Sequence, residues 1–206
     1  MTKTRLALLA LAFGTGCLSS QPERFYALSD QRAAAAPVAR FPGTVLIAPV
    51  LIPDLIDRPQ LVVRGADGRL DVLEHQRWAE ALDAGIGGLM AKQLSRRLVD
   101  ADVSSTEDII GKPDLRVAVD IRAFELRADQ GITVEALWTV TGAGGVVRRG
   151  KTRAVQPASG GGYDALTLAA SLAVDAVSAD VARAILALGT ERPVAGGGPS
   201  PAARIR

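Results

Sequence analysis

Cys17 carries the most reactive side chain of this 206-residue chain, and it is the only cysteine. Residues 1–5 carry two cations, Leu6–Phe13 is an apolar run, and the small residues Gly14–Gly16 directly precede the cysteine. A basic start, a short apolar run and small residues are the layout of a secretory signal. A cysteine at the end of this layout indicates a bacterial lipoprotein signal, in which the thiol is acylated and residue 17 becomes the mature N-terminus.

One residue departs from that layout. Gly14 stands three positions before the cysteine, where a lipoprotein signal usually has leucine. The alternative is an ordinary secretory signal followed by an incidental cysteine. A membrane-spanning anchor is disfavoured, because a spanning helix needs about 20 apolar residues and the run at Leu6–Phe13 is much shorter.

The other reactive side chains form no recognisable catalytic set. A mature chain in which Cys17 is acylated has no thiol for a disulfide, a metal site or a nucleophile. His75 is the sole histidine, and no G-x-S-x-G elbow accompanies it. Glu74 and Glu80 could act as an acid–base pair, but charged residues at a helix start normally cap and solvate it. We therefore predict no enzyme activity, no cofactor and no metal.

Charge argues against nucleic acid as a partner. The formal net charge is +2, and the departing signal would take Lys3 and Arg5 with it. No cluster of basic residues with interleaved aromatics appears. The hydrophobic fraction of 48% is ordinary for a globular domain.

Alternation and turn residues predict the strands that would position these side chains. We expect strands at 24–28 and 44–51, a hairpin at 60–74 around the Asp-Gly turn at 67–68, and an antiparallel meander at 115–126, 132–140 and 146–155. Residues 30–42 are expected to form a loop, with a short helix an option at 31–36. Phe124 breaks the alternation of its strand, so either a β-bulge near Ala123 corrects the phase or Phe124 is exposed.

Two longer segments show helical spacing. Residues 74–79 are expected to lead into a helix at 82–98, and a second helix is expected at 163–188 with Gly189 as its cap. The glycines Gly85, Gly87 and Gly88 of the first helix suggest close approach to a sheet or to a neighbouring subunit, or a poor helix that packing rescues.

The order strands, helix, strands, helix predicts an α+β fold. We expect one antiparallel β-sheet with two long α-helices packed on one face, a two-layer sandwich. The boundaries are a lipoprotein signal peptide at 1–16, a tether at 17–23, one domain at 24–189 and a disordered tail at 190–206, which is rich in Gly, Pro and Ala.

Four stretches of the chain resemble the ABC-type transport auxiliary lipoprotein component, or PqiC-like, family, over about residues 24–188. Each motif alone is weak, whereas the run at 57–60 together with the run at 77–80 at this spacing is fairly specific. The four stretches are Phe25-Tyr26-x-Leu28, the run Ile56-Asp57-Arg58-Pro59-Gln60-Leu61-Val62-x-Arg64, the run Arg77-Trp78-Ala79-Glu80, and Arg122 with Phe124 and Glu125, where one residue is inserted.

The resemblance implies an outer-membrane lipoprotein that faces the periplasm. Such proteins work beside an MCE-domain protein and ABC transporter components that move lipids between the inner and outer membranes, as structural partners rather than enzymes. Leu18 is not the aspartate that usually retains a lipoprotein in the inner membrane. A general envelope-structural or assembly lipoprotein is the alternative, and a lipoprotein enzyme ranks last.

Six residues are the candidate partner-binding site: Asp57, Arg58, Pro59, Gln60, Arg64 and Trp78. Pro59 fixes its own φ and favours an extended Arg58, so Asp57–Gln60 is a stiff polar corner. It is either a structural turn, with Asp57 capping amides and an arginine pairing a carboxylate, or a contact for a partner or a lipid head group through the Arg58 fork.

Further features of the sequence each allow two interpretations. Trp78 suits a core or an interface. The basic strand Arg148–Arg153 is either a solvated edge or a surface that faces anionic lipid. The helix glycines leave a homo-oligomer open, in which the domain would pack into a ring.

Overall fold

The structure is a computed structural model that describes residues 21–30, 39–106, 112–128, 130–142 and 145–190. Cys17, the signal at 1–16 and the tail after Thr190 lie outside these ranges, as does the optional helix at 31–36. Within the described ranges ten elements follow one another: β1 (Arg24–Tyr26), β2 (Ala39–Ile47), β3 (Gln60–Arg64), β4 (Leu70–Trp78), α1 (Leu82–Arg97), β5 (Leu98–Ser104), β6 (Leu115–Arg127), β7 (Gly131–Gly142), β8 (Val147–Gln156) and α2 (Gly162–Thr190).

All eight strands belong to one mixed sheet. Its order is β1-β4-β3-β6-β2-β5, and β7 and β8 extend it from β6. The predicted α+β class is confirmed. The prediction of a purely antiparallel sheet is wrong, because β1–β4, β3–β6, β2–β6 and β2–β5 are parallel pairs. Parallel neighbours need a long crossover, so the partners are far apart in sequence and local alternation does not reveal them.

The antiparallel pairs of the sheet each join two consecutive strands. The hairpin β3–β4 and the meander β6–β7–β8 form as predicted. Strand β4 runs to Trp78, so residues 74–78 belong to the sheet and do not lead into the helix as expected. Strand β5 begins directly after α1 and is not among the strands predicted from the sequence.

A β-bulge in β6 restores the phase of Phe124. The register with β7 shifts between Ile121 and Ala123, which confirms the predicted bulge. Phe124 is consequently buried, and its ring meets the Trp78 ring edge to face with the centroids 6.2 Å apart.

Helix α2 is the core helix of the domain. It packs against β7, β8 and α1 through small and branched side chains such as Ala170, Val177 and Val181. By length and composition the span Gly162–Leu188 could cross a membrane, but 67% of its most apolar window is buried inside the domain. Its apolar composition therefore serves the core. The two-layer stacking of both helices on one face stays a prediction.

Contacts among the described residues do not require the glycines of α1. A Cβ at Gly85 or Gly87 would meet its nearest atoms there at 3.4 and 3.7 Å, and at Gly88 it would meet no described residue within 4 Å. These are ordinary contacts, so close approach to the sheet does not explain the glycines. Packing against a neighbouring subunit stays a prediction.

Candidate functional site

A cavity of about 120 Å³ opens where the chain segment 53–56 crosses β3, β4 and the bulge of β6. Its walls combine apolar and charged side chains. The apolar side chains include Leu55, Ile56, Val62 and Leu70, and the charged side chains are Arg64, Arg122 and Glu125.

An ion pair between Arg64 and Glu125 lies in the wall of this cavity. Arg64 Nε lies 3.4 Å from Glu125 Oε2, and Arg127 Nη2 lies 3.5 Å from the same oxygen. The Arg64 Nη1 atom also donates to the Gly68 carbonyl at 3.0 Å, so its guanidinium holds the hairpin turn as well. Both partners are half-buried, a setting in which such pairs contribute at most about 1 kcal/mol. The pair therefore positions side chains more than it stabilises the fold.

The polar corner Asp57–Gln60 is held by its backbone and by Gln60. Arg58 N donates to the Ile56 carbonyl at 2.9 Å, and the Pro59 carbonyl accepts from Trp78 N at 2.7 Å. Gln60 Nε2 donates to Glu74 Oε2 at 3.3 Å. In the described chain no hydrogen bond or ion pair involves the side chains of Asp57 and Arg58, and both are exposed. The corner thus presents them on a fixed turn, and the amide cap that the structural-turn alternative gave to Asp57 is not formed among the described residues.

Trp78 lies in the core beneath this corner. It is 6% exposed and packs against Phe124, while its backbone N–H holds Pro59. Any contribution of Trp78 to binding is therefore indirect, through the position of the corner.

The sequence of this chain matches the family model of the ABC-type transport auxiliary lipoprotein component over residues 26–182. The chain belongs to this family. The family is defined as an auxiliary component of transport, not as a class of enzyme, and its members are lipoproteins of the cell envelope. No curated protein matches the sequence.

Two solved structures share the fold of this family member. One is a protein of the DUF330 family from Xanthomonas campestris, with a TM-score of 0.66, 19% identity, and coverage of 82% of this chain and 97% of that one. The other is an uncharacterised protein, with a TM-score of 0.68, 19% identity, and coverage of 80% and 99%. At this identity the likeness establishes the fold alone.

Two of the segments that carry the family resemblance meet in the structure. Arg64 belongs to the first segment, and its partner Glu125 belongs to the second. The sequence points to Arg64 but not to Glu125, Arg122 and Leu70 as its neighbours. The predicted bulge was the available signal, because it turns this part of β6 toward the crossing segment.

The other side chains considered for chemistry are dispersed. Glu74 binds Gln60, and His75 is half-buried on β4. Among the residues that the structure describes, no group of three His, Cys, Asp or Glu side chains could hold a metal ion.

Proposed function

We propose that this protein is a lipid-anchored, non-catalytic accessory subunit of an MCE/ABC-type system that moves lipids between the inner and outer membranes. Its anchor is the acylated Cys17, and its domain faces the periplasm from the outer membrane. Membership of the transport auxiliary lipoprotein family over residues 26–182 is the observation that carries this proposal.

The corner Asp57–Gln60 supports a docking role within that system. Its exposed Asp57 and Arg58 are presented on a turn that the backbone already fixes. A preorganised turn loses little conformational freedom on binding. The Arg58 guanidinium offers two parallel donors to a carboxylate, so an acidic side chain of an MCE-domain protein is the expected contact.

The test replaces Arg58 with alanine and measures co-purification with the MCE-domain protein. We expect the R58A variant to recover roughly 5- to 30-fold less partner, because truncation of an interface arginine costs on the order of 1–2 kcal/mol. Arg69→Ala is the matched control, since Arg69 is also exposed and lies on the neighbouring hairpin turn. Equal recovery with both variants would contradict the docking role, provided that both domains unfold at the wild-type temperature.

A further inference from the structure

One side of the strands β6, β7 and β8 is open to solvent except beside the bulge of β6, where the segment 53–56 crosses it. The pairing register of the three strands aligns fifteen side chains on this side in five rows of three. None of these fifteen side chains is buried. We call these rows, together with Arg122 at the bulge and Arg127 at the strand end, the open face. The rows are Arg116–Thr141–Val147, Ala118–Thr139–Arg149, Asp120–Leu137–Lys151, Ala123–Glu135–Arg153 and Glu125–Thr133–Val155.

Exposed apolar side chains are concentrated on this side of the sheet. Eight large apolar side chains are exposed in the described ranges, and six of them lie on the open face or on its continuation over the neighbouring strands. Their exposure runs from 36% to 63%. They are Leu137, Val147 and Val155 on the open face, and Phe25, Leu51 and Leu70 beside it.

Strand pairing and alternation place Phe25, Leu51 and Leu70 on the same side of the sheet as the open face. Leu51 bridges to Asp120, and Leu70 is opposite Arg64, which is level with Arg127. Phe25 is next to Tyr26, whose ring is buried against Tyr163 of α2. Because successive side chains of a strand alternate, Phe25 lies on the side of β1 opposite to the Tyr26 ring, which is the side of the open face.

The open face is also basic. It carries six cations, Arg116, Arg122, Arg127, Arg149, Lys151 and Arg153, against three carboxylates, Asp120, Glu125 and Glu135. Ion pairs on this face engage each carboxylate: Asp120 with Arg122, Glu125 with Arg127, and Glu135 with Lys151 and Arg153. An excess of three positive charges remains on this face, although the whole chain carries only +2.

The mixture of charge and apolar side chains fits a bilayer better than a protein. The centre of a protein–protein interface is depleted of charged residues, whereas here cations on β6 and β8 lie beside single aliphatic side chains on β7 and β8. Basic residues with interspersed apolar ones are what an anionic membrane surface attracts and accommodates.

The N-terminal tether brings this face within reach of a membrane. Strand β1 begins seven residues after Cys17, and seven residues span at most about 25 Å. We propose that the open face lies against the anionic phospholipid surface of the membrane that holds the Cys17 anchor. This step rests on the lipid anchoring proposed above.

The experiment measures flotation of the processed chain carrying Cys17→Ala with phospholipid vesicles, so that only the folded domain can bind. Vesicles of phosphatidylethanolamine with one quarter phosphatidylglycerol are compared with vesicles of phosphatidylcholine. We expect binding to the anionic vesicles alone. Raising the salt to about 0.5 M should weaken it, because the screening length then falls well below 10 Å.

The matched variants each reverse two exposed cations. Arg149→Glu with Lys151→Glu changes the open face, and Lys92→Glu with Arg183→Glu changes exposed positions on α1 and α2. The first pair should lower the vesicle partition coefficient roughly 20-fold or more, since each cation near an anionic surface contributes about fivefold. The second pair should lower it much less. Arg149→Gln with Lys151→Gln serves as a milder change if the first pair fails to fold.

Several outcomes would overturn the proposal. One is the absence of binding to anionic vesicles. Another is an equal loss of vesicle partitioning in the two double variants. A third is self-association of the domain that the Arg149 and Lys151 changes abolish, while vesicle binding is absent. Palmitate labelling of Cys17 is measured separately, so a failure of the anchor is distinguished from a failure of the open face.

Discussion

At the scale of the residue, Trp138 and Gly150 show why a strand contains a glycine. A Cβ at Gly150 would lie 2.1 Å from Cζ2 of Trp138, so the indole covers the glycine backbone. Trp138 Nε1 donates to Thr152 Oγ1 at 3.0 Å, and that hydroxyl donates to Asp180 of α2 at 2.6 Å. The ring is thus held between strand β8 and helix α2.

Gly150→Ala is expected to lower the free energy of unfolding by about 1–3 kcal/mol, because an added methyl group would displace a packed ring. Urea denaturation followed by tryptophan fluorescence measures this loss. Gly88→Ala is the control: it adds the same methyl group on α1, where no described residue lies within 4 Å, and it should be neutral or stabilising by up to about 1 kcal/mol. Equal stability of the two variants would contradict the packing argument.

At the scale of the element, the two helices meet through buried polar groups. Arg97 Nη2 of α1 lies 2.9 Å from Asp175 Oδ1 of α2, and the two side chains are only 6% and 8% exposed. Ser178 Oγ donates to Gln93 Oε1 at 2.7 Å one turn further along. Such groups are costly to bury alone, so they select one register between the helices.

Asp175→Ala should therefore lower the free energy of unfolding by about 3–5 kcal/mol, because it leaves the Arg97 guanidinium buried without its carboxylate partner. Chemical denaturation measures the change. The double variant Arg97→Met with Asp175→Leu replaces the pair by apolar side chains and should recover most of the loss. A cost below about 1 kcal/mol for the single variant would show that the pair does not hold the helices in register.

At the scale of the whole molecule, lipid anchoring and folding are separable. Cys17 precedes the described domain, and the core is built from residues between Tyr26 and Leu188. An anchor at Cys17 would therefore decide where the domain resides without contributing to its stability.

Cys17→Ala is expected to abolish incorporation of radiolabelled palmitate and to release the protein from the outer-membrane fraction. Its unfolding temperature should stay unchanged, because no core residue is altered. Ser20→Ala, three positions later, is the control and should label normally. Unchanged labelling of the Cys17 variant would refute the lipoprotein signal and leave an ordinary secretory signal in its place.

Local patterns determined much of this protein. The meander β6–β8, the hairpin at 60–74, both helices and the bulge before Phe124 follow from alternation, helical spacing and turn residues, since each depends on neighbours a few positions away. The family resemblance likewise came from short motifs that contain Arg64 and Phe124.

Only the tertiary structure decided which distant segments meet. Long stretches of chain separate the residues that meet in the parallel pairs, in strand β5 and in the contact of Arg64 with Glu125. Local sequence patterns do not indicate such distant partners. The open face emerged in the same way. Strand by strand, these cations and apolar side chains are what an ordinary solvated strand carries. They form one surface only because β6, β7 and β8 pair in register.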